Sequence, residues 1–398
     1  MTYKTIELKE HQEYIDLNNE VLDYSDLLWS QYEEKLDIEF PSPRTGNRLK
    51  LCPRNWVGFI PLTSKFVLRI SPKVTLKNLF GMVAYVYNLD EFKDIFQNDL
   101  IRCDAIEDCF EVLAELLARK VLDQVQQGLY RTYLSTTAIQ PCVRGRLDVQ
   151  YGIQRFWEAK LRCTYQELTG DIPDNQILAW TLLTVAQSGL CKESLSIVQR
   201  AYRALQGIVT VQPFTANDCI DRDYNRLNED YQSLHALCRF LLESTAASHQ
   251  VGEYRMLAFL VNMPNLFQDF VATWLSQELS QNYLQKYHLE KQVRYNIDLA
   301  HNLKFYIDLV LHDTANKRVR CVLDTKYKTT LKTSDIQQII AYAVVKECNE
   351  AILIFPMSHN KQIDKQINNI RVRTLIFPLD KLDLDEAGKY FLKELLQS

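Results

Sequence analysis

The sequence predicts a mixed α/β chain in three parts: a β-rich N-terminal module over residues 1–150, a helical middle over 151–250, and a C-terminal α/β sandwich over 251–398. Three observations carry that prediction. Short apolar runs broken by proline fill the first part, apolar residues three and four apart dominate the middle, and β-prone runs alternate with helical ones at the end. A chain of 398 residues has room for two or three domains.

In the first part, residues 56–60 and 66–70 read as strands, delimited by Pro53, Pro61 and Pro72, which cannot donate to a ladder. Phe110, Leu113, Leu117, Val121 and Val125 recur at helical spacing over 108–129, and Gly128 is a stop signal. Residues 174–247 read as mostly helical, with Asp174 as an N-cap before Ile177, Leu178, Leu182 and Leu183, and a second helix over 231–242. The last part predicts a helix over 265–287, strands over 292–299, 303–311 and 319–327, a helix over 334–346, and strands over 351–355 and 372–377. The first three of these strands are expected to meander antiparallel.

With 47% hydrophobic and 24% charged residues the composition excludes a disordered or fibrous protein. The net charge of −4 is weakly repulsive to phosphate, so a nucleic acid must be held by a local basic patch, and a histone-like binder is excluded. No two of the ten cysteines have the two-residue gap of a zinc knuckle or redox pair, and the seven histidines lack metal-ligand spacing. His312, near a turn, is expected to be an exposed loop residue. The first residues hold no signal-peptide run, and no stretch approaches the ~18 apolar residues of a membrane span; a cytoplasmic location with reduced thiols is expected.

The chemistry concentrates in the last part. Side chains alternate along a strand, so Asp324 and Lys326 share one face, while Cys321, Leu323 and Thr325 take the other. On the preceding strand Tyr306, Asp308 and Val310 share a face. A turn centred on Asn316 sets Asp308 opposite Asp324, with Cβ atoms about 5 Å apart. At an effective dielectric of ~20 the two carboxylates repel by on the order of 3 kcal/mol. Protonation, the Lys326 ammonium or a divalent cation can offset this, and for hard oxygen ligands Mg²⁺ is the usual choice, with Mn²⁺ able to substitute. A metal plus a lysine suits phosphodiester hydrolysis, because the ion activates water and the ammonium stabilises developing charge.

Taken alone, this pattern is more often an edge hairpin with a cross-strand ion pair. Its surroundings weigh against that, since Lys317, Arg318, Arg320, Lys326, Lys328 and Lys332 meet the single acid Asp324 within residues 317–332. Lys317, Arg318, Arg320, Lys328 and Lys332 are the candidate DNA contacts. Gln338 and Tyr342, at i and i+4, share a face of the next helix and can reach the same site or the DNA backbone.

Asp308, Asp324-Thr-Lys326 and Gln338-x-x-x-Tyr342 together resemble the PD-(D/E)xK nuclease motifs, in the variant with a trailing Gln-x-x-x-Tyr helix. From about residue 50 to 360 the chain also resembles the McrC family, through Leu68-Arg-Ile-Ser-Pro-Lys-Val74 with Leu79-Phe-Gly-Met-Val-Ala-Tyr85, Val143-Arg-Gly-Arg-Leu147, Tyr165-Gln-Glu-Leu168 with Asp171 and Asn175, and Tyr224-Asn-Arg-Leu-Asn228. The resemblance implies a restriction-endonuclease-like α/β/α core. In that core Asp308, Asp324, Lys326, Gln338 and Tyr342 would be catalytic, and Asp308, Asp324 and Gln268 would hold metal. It implies a Mg²⁺-dependent endonuclease subunit of a modification-dependent (type IV) restriction system acting on double-stranded DNA. An McrB-type AAA+ GTPase would be the partner, docked and stimulated through the adaptor residues before about 150.

The chain contains no Gly-x-x-x-x-Gly-Lys-Ser/Thr loop, so the nucleotidase must come from that partner. One position departs from the family pattern: Gln268 stands where glutamate is usual, and Asp269 lies roughly 100° round the helix. The carboxamide oxygen can still coordinate. The alternative reading is a decayed nuclease fold that survives as a non-enzymatic activator and scaffold of the ring. Glu167, Asp171 and Asn175 are expected to cap a helix, and Tyr224, Arg226 and Asn228 to make packing hydrogen bonds.

Overall fold

The computed structural model describes residues 4–16, 21–62, 66–89, 105–157, 160–188, 190–245, 249–251, 254–283, 286–298, 303–358 and 362–397. Its backbone contacts divide the chain into two compact units, one of residues 1–110 with 244–398 and one of residues 111–243.

The first unit opens with β1 (Lys4–Lys9), β2 (Tyr14–Ile15), α1 (Ser25–Tyr32), β3 (Leu36–Glu39), β4 (Lys50–Pro53), β5 (Trp56–Pro61), β6 (Phe66–Ser71) and α2 (Leu76–Val86). Strands β2, β4 and β3 form a small antiparallel sheet. β1 runs parallel to β6, β6 antiparallel to β5, and β5 antiparallel to a strand from far down the chain, Phe259–Asn262. Leu8, Leu28, Tyr32, Leu51, Ile60 and Leu68 bury one core with Ala258 and Leu260 from that distant segment. Both expected strands are present. Thr75 caps α2, its hydroxyl accepting from the Asn78 amide at 3.2 Å.

Helix α3 (Ile106–Gln127) leads into the second unit and ends before Gly128, whose φ of +107° favours glycine. There β7 (Thr132–Gln140), β8 (Arg146–Leu147), α4 (Val149–Gln154) and β9 (Leu161–Thr169) precede α5 (Pro173–Ala186), α6 (Lys192–Leu205) and α7 (Tyr231–Ser244). The sheet order is β7-β9-β8, with Thr132 opposite Thr169 and Gln140 opposite Leu161. The middle of the chain is therefore not purely helical: β9 is a nine-residue strand within it. Nor does Asp174 cap α5. The N-cap is Ile172, Pro173 takes the first turn, where its missing N–H costs nothing, and Asp174 accepts instead from Arg222 at 2.9 Å.

The chain then returns to the first unit with β10 (His249–Val251), β11 (Tyr254–Met256), β12 (Phe259–Asn262) and α8 (Met263–Asn282). Asn262 caps α8 by accepting from the Asn265 amide at 3.1 Å. There follow β13 (Tyr287–Asp298), β14 (Leu303–Asp313), β15 (Arg318–Thr325), α9 (Thr333–Val345), β16 (Glu350–Phe355), β17 (Asp364–Ile367), β18 (Ile370–Ile376) and α10 (Leu384–Leu396). They build a six-stranded sheet in the order β13-β14-β15-β16-β18-β17. Strands β13, β14 and β15 meander antiparallel as expected, whereas β15, β16 and β18 are parallel. Ile339, Tyr342 and Ala343 of α9 pack with Val310, Val322 and Leu353 of the sheet. Trp274 of α8 and Phe391 of α10 enclose the Phe377 ring.

The boundaries expected at 150 and 250 do not coincide with the compact units. β12 completes the N-terminal sheet, and the inserted unit begins inside α3. Local periodicity reports an element's type and not its partner.

The join between β5 and β12 is tight. Gly58 has φ +147°, and a Cβ there would collide with the Phe259 carbonyl. Gly58→Ala is expected to cost about 1–3 kcal/mol from backbone conformation alone, before the collision is counted. Unfolding by urea measures this; an unchanged midpoint would mean that the two strands are not so closely paired.

Candidate active site

The site begins with a register. Leu309 lies opposite Leu323, Val310 opposite Val322 and Leu311 opposite Cys321, and one further step along this ladder sets Asp308 opposite Asp324. The turn itself lies half a residue earlier than expected. Beyond Leu311 the register shifts, so that His312 pairs with Val319 and Asp313 with Arg318. A bulge at Arg320 absorbs the difference and returns both aspartates to the same rung. Asp313 fixes the turn, accepting from the Asn316 amide at 3.0 Å and from its side chain at 2.7 Å.

β15 is flanked by β14 and β16, and Asp324 is only 2% exposed. Asp308 is half-buried. Its Oδ2 accepts from the Thr325 amide and hydroxyl, each at 2.8 Å, and its Oδ1 from Gln268 Nε2 at 3.0 Å. Lys326 Nζ lies 2.6 Å from Asp324 Oδ2 and donates to Gln338 Oε1 at 3.0 Å. Gln338 Nε2 in turn donates to the buried Tyr342 hydroxyl at 2.7 Å. Asp308, Asp324, Lys326, Gln338, Tyr342 and Gln268 thus form one connected cluster, drawn from α8, β14, the end of β15 and α9.

Burial, followed by the charge of Asp308, pushes the Asp324 carboxyl up to about 6, against the pull of Lys326. Burial alone would lower Lys326, but Asp324, Asp308 and Asp335 outweigh it and raise the ammonium above its ordinary value. It is therefore charged at neutral pH. Asp324 Oδ2 is held by that ammonium, with Asp308 as the second carboxylate beside it.

Among the described residues no three His, Cys, Asp or Glu side chains converge as a metal site. The oxygens available here are two carboxylates and one carboxamide. Two adjoining carboxylates, one of them buried, are a hard donor set that fits a divalent cation such as Mg²⁺. Gln268 directs its nitrogen at Asp308, so coordination through its oxygen requires the carboxamide to turn over. Asp269 interacts instead with Lys291 of β13.

The basic residues divide. Lys317 and Arg318 are exposed at the turn, and Lys332 is exposed where α9 begins. Arg320 donates to the Tyr287 hydroxyl with its guanidinium over that ring, and Lys328 is held by Asp335 at 2.6 Å. His312 belongs to β14 rather than to a loop and lies 3.1 Å from Glu290. Thr325 and Asp335 both serve the cluster, and the sequence reading missed them. The signal for Thr325 was its place between Asp324 and Lys326, and for Asp335 its position three residues after Lys332, whose amide it accepts at 2.8 Å.

The remaining motif residues are structural. Asp171 does not cap α5; it accepts from the Thr210 amide at 2.7 Å and hydroxyl at 2.6 Å. Asn175 donates to the Tyr130 and Gly170 carbonyls and accepts from the Tyr231 hydroxyl. Tyr224 meets His235 at 2.9 Å, and Asn228 accepts from the Asn225 amide at 2.7 Å. Arg144 stacks on Tyr165, 4.0 Å from the ring centroid.

Fold and site together define a mixed α/β chain with an acid–lysine cluster on the strand end at the middle of its largest sheet. The model of the McrBC 5-methylcytosine restriction system component family matches residues 51–356, and the chain belongs to that family. It is 23% identical over 264 residues to the Type IV methyl-directed restriction enzyme EcoKMcrBC of Escherichia coli (strain K12), a match covering 64% of this chain and 74% of the relative. Its fold is similar to that of a chain in the half-complex from the tetradecameric assembly of Thermococcus gammatolerans McrB AAA+ hexamers with bound McrC. There the TM-score is 0.61 at 17% identity, over 99% of this chain and 100% of that one. A chain of the Thermococcus gammatolerans McrBC complex matches with a TM-score of 0.46 at 20% identity, over 69% and 88%. Among the described residues no helix is long and apolar enough to cross a membrane.

The raised carboxyl has a measurable consequence. Burial and the charge of Asp308 hold the Asp324 carboxyl up at about 6, above the ordinary carboxylate range, so the folded state holds a proton that the unfolded state has lost. The stability it contributes is present below about pH 4 and is lost as pH rises through about 6. In metal-free buffer the melting temperature of Asp324→Asn should therefore gain on that of wild type between about pH 4.5 and about pH 7.5. A difference that stays constant with pH would mean that the carboxyl is unperturbed.

Proposed function

We propose that this chain is the DNA endonuclease subunit of a modification-dependent restriction system, hydrolysing phosphodiester bonds of double-stranded DNA with Mg²⁺ and working with an McrB-type AAA+ GTPase. One observation carries the reading: the buried Asp324–Lys326 pair adjoins a second carboxylate, Asp308, and the lysine does not fully offset the two. Asp308, Asp324 and Gln268 would hold the cation, with Mn²⁺ an acceptable substitute. When bound, the ion neutralises phosphate and lowers the pKa of its water.

The chain's own residues do the rest. Lys326 is turned by Asp324 and Gln338, which leaves its third N–H for the attacking water or a phosphoryl oxygen. Tyr342, fixed in the core, holds Gln338 and so sets the direction of the ammonium. The exposed cations Lys317, Arg318 and Lys332 supply attraction to the phosphate backbone; Arg320 and Lys328, held by Tyr287 and Asp335, shape the hairpin that presents them. An intact acid–lysine cluster favours an enzyme over a decayed scaffold.

The second unit supports the partner half of the proposal. Its β7-β9-β8 sheet exposes apolar side chains, and Phe156 and Trp157 beside it are 82% and 69% exposed. A concentration of exposed apolar side chains of this kind marks an interaction surface. The relative of similar fold is bound to McrB AAA+ hexamers, and we assign this face to the same class of partner.

Asp308→Ala, Asp324→Ala and Lys326→Ala should each slow cleavage by about 10²-fold or more while leaving stimulation of the partner GTPase intact. A nicking assay with the partner present, with and without chelator, measures this. Near-normal cutting by all three variants would sink the nuclease reading and leave the activator.

For the docking face, replacing Phe156 and Trp157 together by serine should weaken partner binding by about 10-fold or more, since exposed aromatic anchors carry much of an interface's energy. Binding of the folded variant at wild-type strength would move the contact to the first unit.

A further inference from the structure

The Ser-Pro-Lys segment at the end of β6 is not used by the cluster described above, yet it leads to it. Lys73 ends that segment, and its ammonium lies 5.9 Å from the centroid of the Tyr327 ring. Tyr327 directly follows Lys326. β15 ends at Thr325, so Lys326 and Tyr327 lie beyond the antiparallel ladder, tethered by the Lys326 amide to the Ile354 carbonyl at 2.8 Å. The side chain of Tyr327 is turned inward and is 5% exposed, and its hydroxyl donates to Glu10 Oε2 at 3.1 Å.

Glu10 directly follows β1 and is 4% exposed, with its amide bonded to the Ser71 carbonyl at 3.3 Å. Its Oε1 has no hydrogen-bond partner; His11 Nε2, tied to Asn55 at 2.7 Å, stands 3.9 Å away. Packing alone would need only the ring of Tyr327. A buried carboxyl group that accepts from its hydroxyl, with an ammonium over the ring, is a costly feature, tolerated where it fixes a position.

The same sheet reaches the cluster by a second route. β12, paired with β5, runs directly into α8, which carries Gln268. The neighbouring Phe267 ring lies 6.1 Å from that of Tyr327. Tyr327 therefore stands between the two elements that carry Gln268 and Lys326, held from behind by the N-terminal sheet.

We propose that Tyr327, clamped by Glu10 and Lys73, is a positioning residue that fixes the end of β15 and thereby aims the Lys326 ammonium. The proposal rests on the nuclease reading, and its test separates the two.

The full chain is assayed with its GTPase partner and Mg²⁺ as wild type, Tyr327→Phe, Glu10→Ala and Glu10→Gln. Tyr327→Phe and Glu10→Ala should lower kcat by about 10-fold, with KM for DNA and stimulation of the partner unchanged, because misplacement of a catalytic group acts on the chemical step. Glu10→Gln keeps an acceptor oxygen for the hydroxyl and should stay within about 3-fold of wild type. Amide hydrogen exchange over residues 324–328, measured without metal or DNA, should rise in the first two variants and not in the third.

Unchanged exchange in Tyr327→Phe overturns the clamp whatever the cleavage rates. Raised exchange with unchanged kcat overturns the positioning role. Wild type cutting no faster than Asp324→Ala shows that the nuclease reading has failed and takes the positioning role with it, while the exchange data still report the clamp.

Discussion

Two carboxylates held on the same rung of neighbouring strands set the terms for the largest sheet of this protein. At an effective dielectric of ~20 their repulsion is on the order of 3 kcal/mol, and burial of Asp324 adds to it. The surroundings read as answers to that charge. Thr325 and Gln268 direct three hydrogen bonds at Asp308, Lys326 is drawn against Asp324, and α9 contributes Gln338 and Tyr342 to hold the lysine. Even so, the Asp324 carboxyl remains raised to about 6. Local neutralisation is incomplete in the protein alone, and a divalent cation would complete it.

The sequence made this cluster legible because the information is local. Strand alternation puts Asp324 beside Lys326, a hairpin is symmetric about its turn, and helical spacing aligns Gln338 with Tyr342. The expected turn centre was half a residue late, and the bulge at Arg320 restored the register at the aspartates. A hairpin reading fixes the pairing at the site only when turn and bulge are counted together. The charge of the basic segment was equally visible, but its distribution was not, since Tyr287 and Asp335, which engage Arg320 and Lys328, come from other elements.

What stayed hidden depends on partners remote in sequence. β17 is exposed along its whole length and has no apolar alternation, so nothing marks it as a strand except its neighbour β18. Asp174 has the right residue type for a cap, but Pro173 moves the start of α5 and Arg222 claims the carboxylate. The capping role expected for Asp171 failed for the same reason, because its donors are side-chain and loop groups, the Thr210 amide and hydroxyl from thirty-nine residues away and the Gln176 carboxamide.

The division into domains follows from one such long-range pairing. β5 and β6 precede the inserted residues 111–243 and β12 follows them, yet all three belong to one sheet. The N-terminal sheet is therefore incomplete until the chain has returned from the second unit, and the contacts that build it are of high sequence separation. A fragment ending near residue 150 would lack β12, and with it the Ala258 and Leu260 side chains that share the core of Leu8, Ile60 and Leu68. By backbone contacts, residues 1–110 group with 244–398 rather than forming a unit with residues 111–150. Strand β12 passes without a break into the helix bearing Gln268, while Glu10, beside β1, holds the residue after Lys326. The sheet that the sequence assigned to a separate adaptor is the support on which the acid–lysine cluster is built.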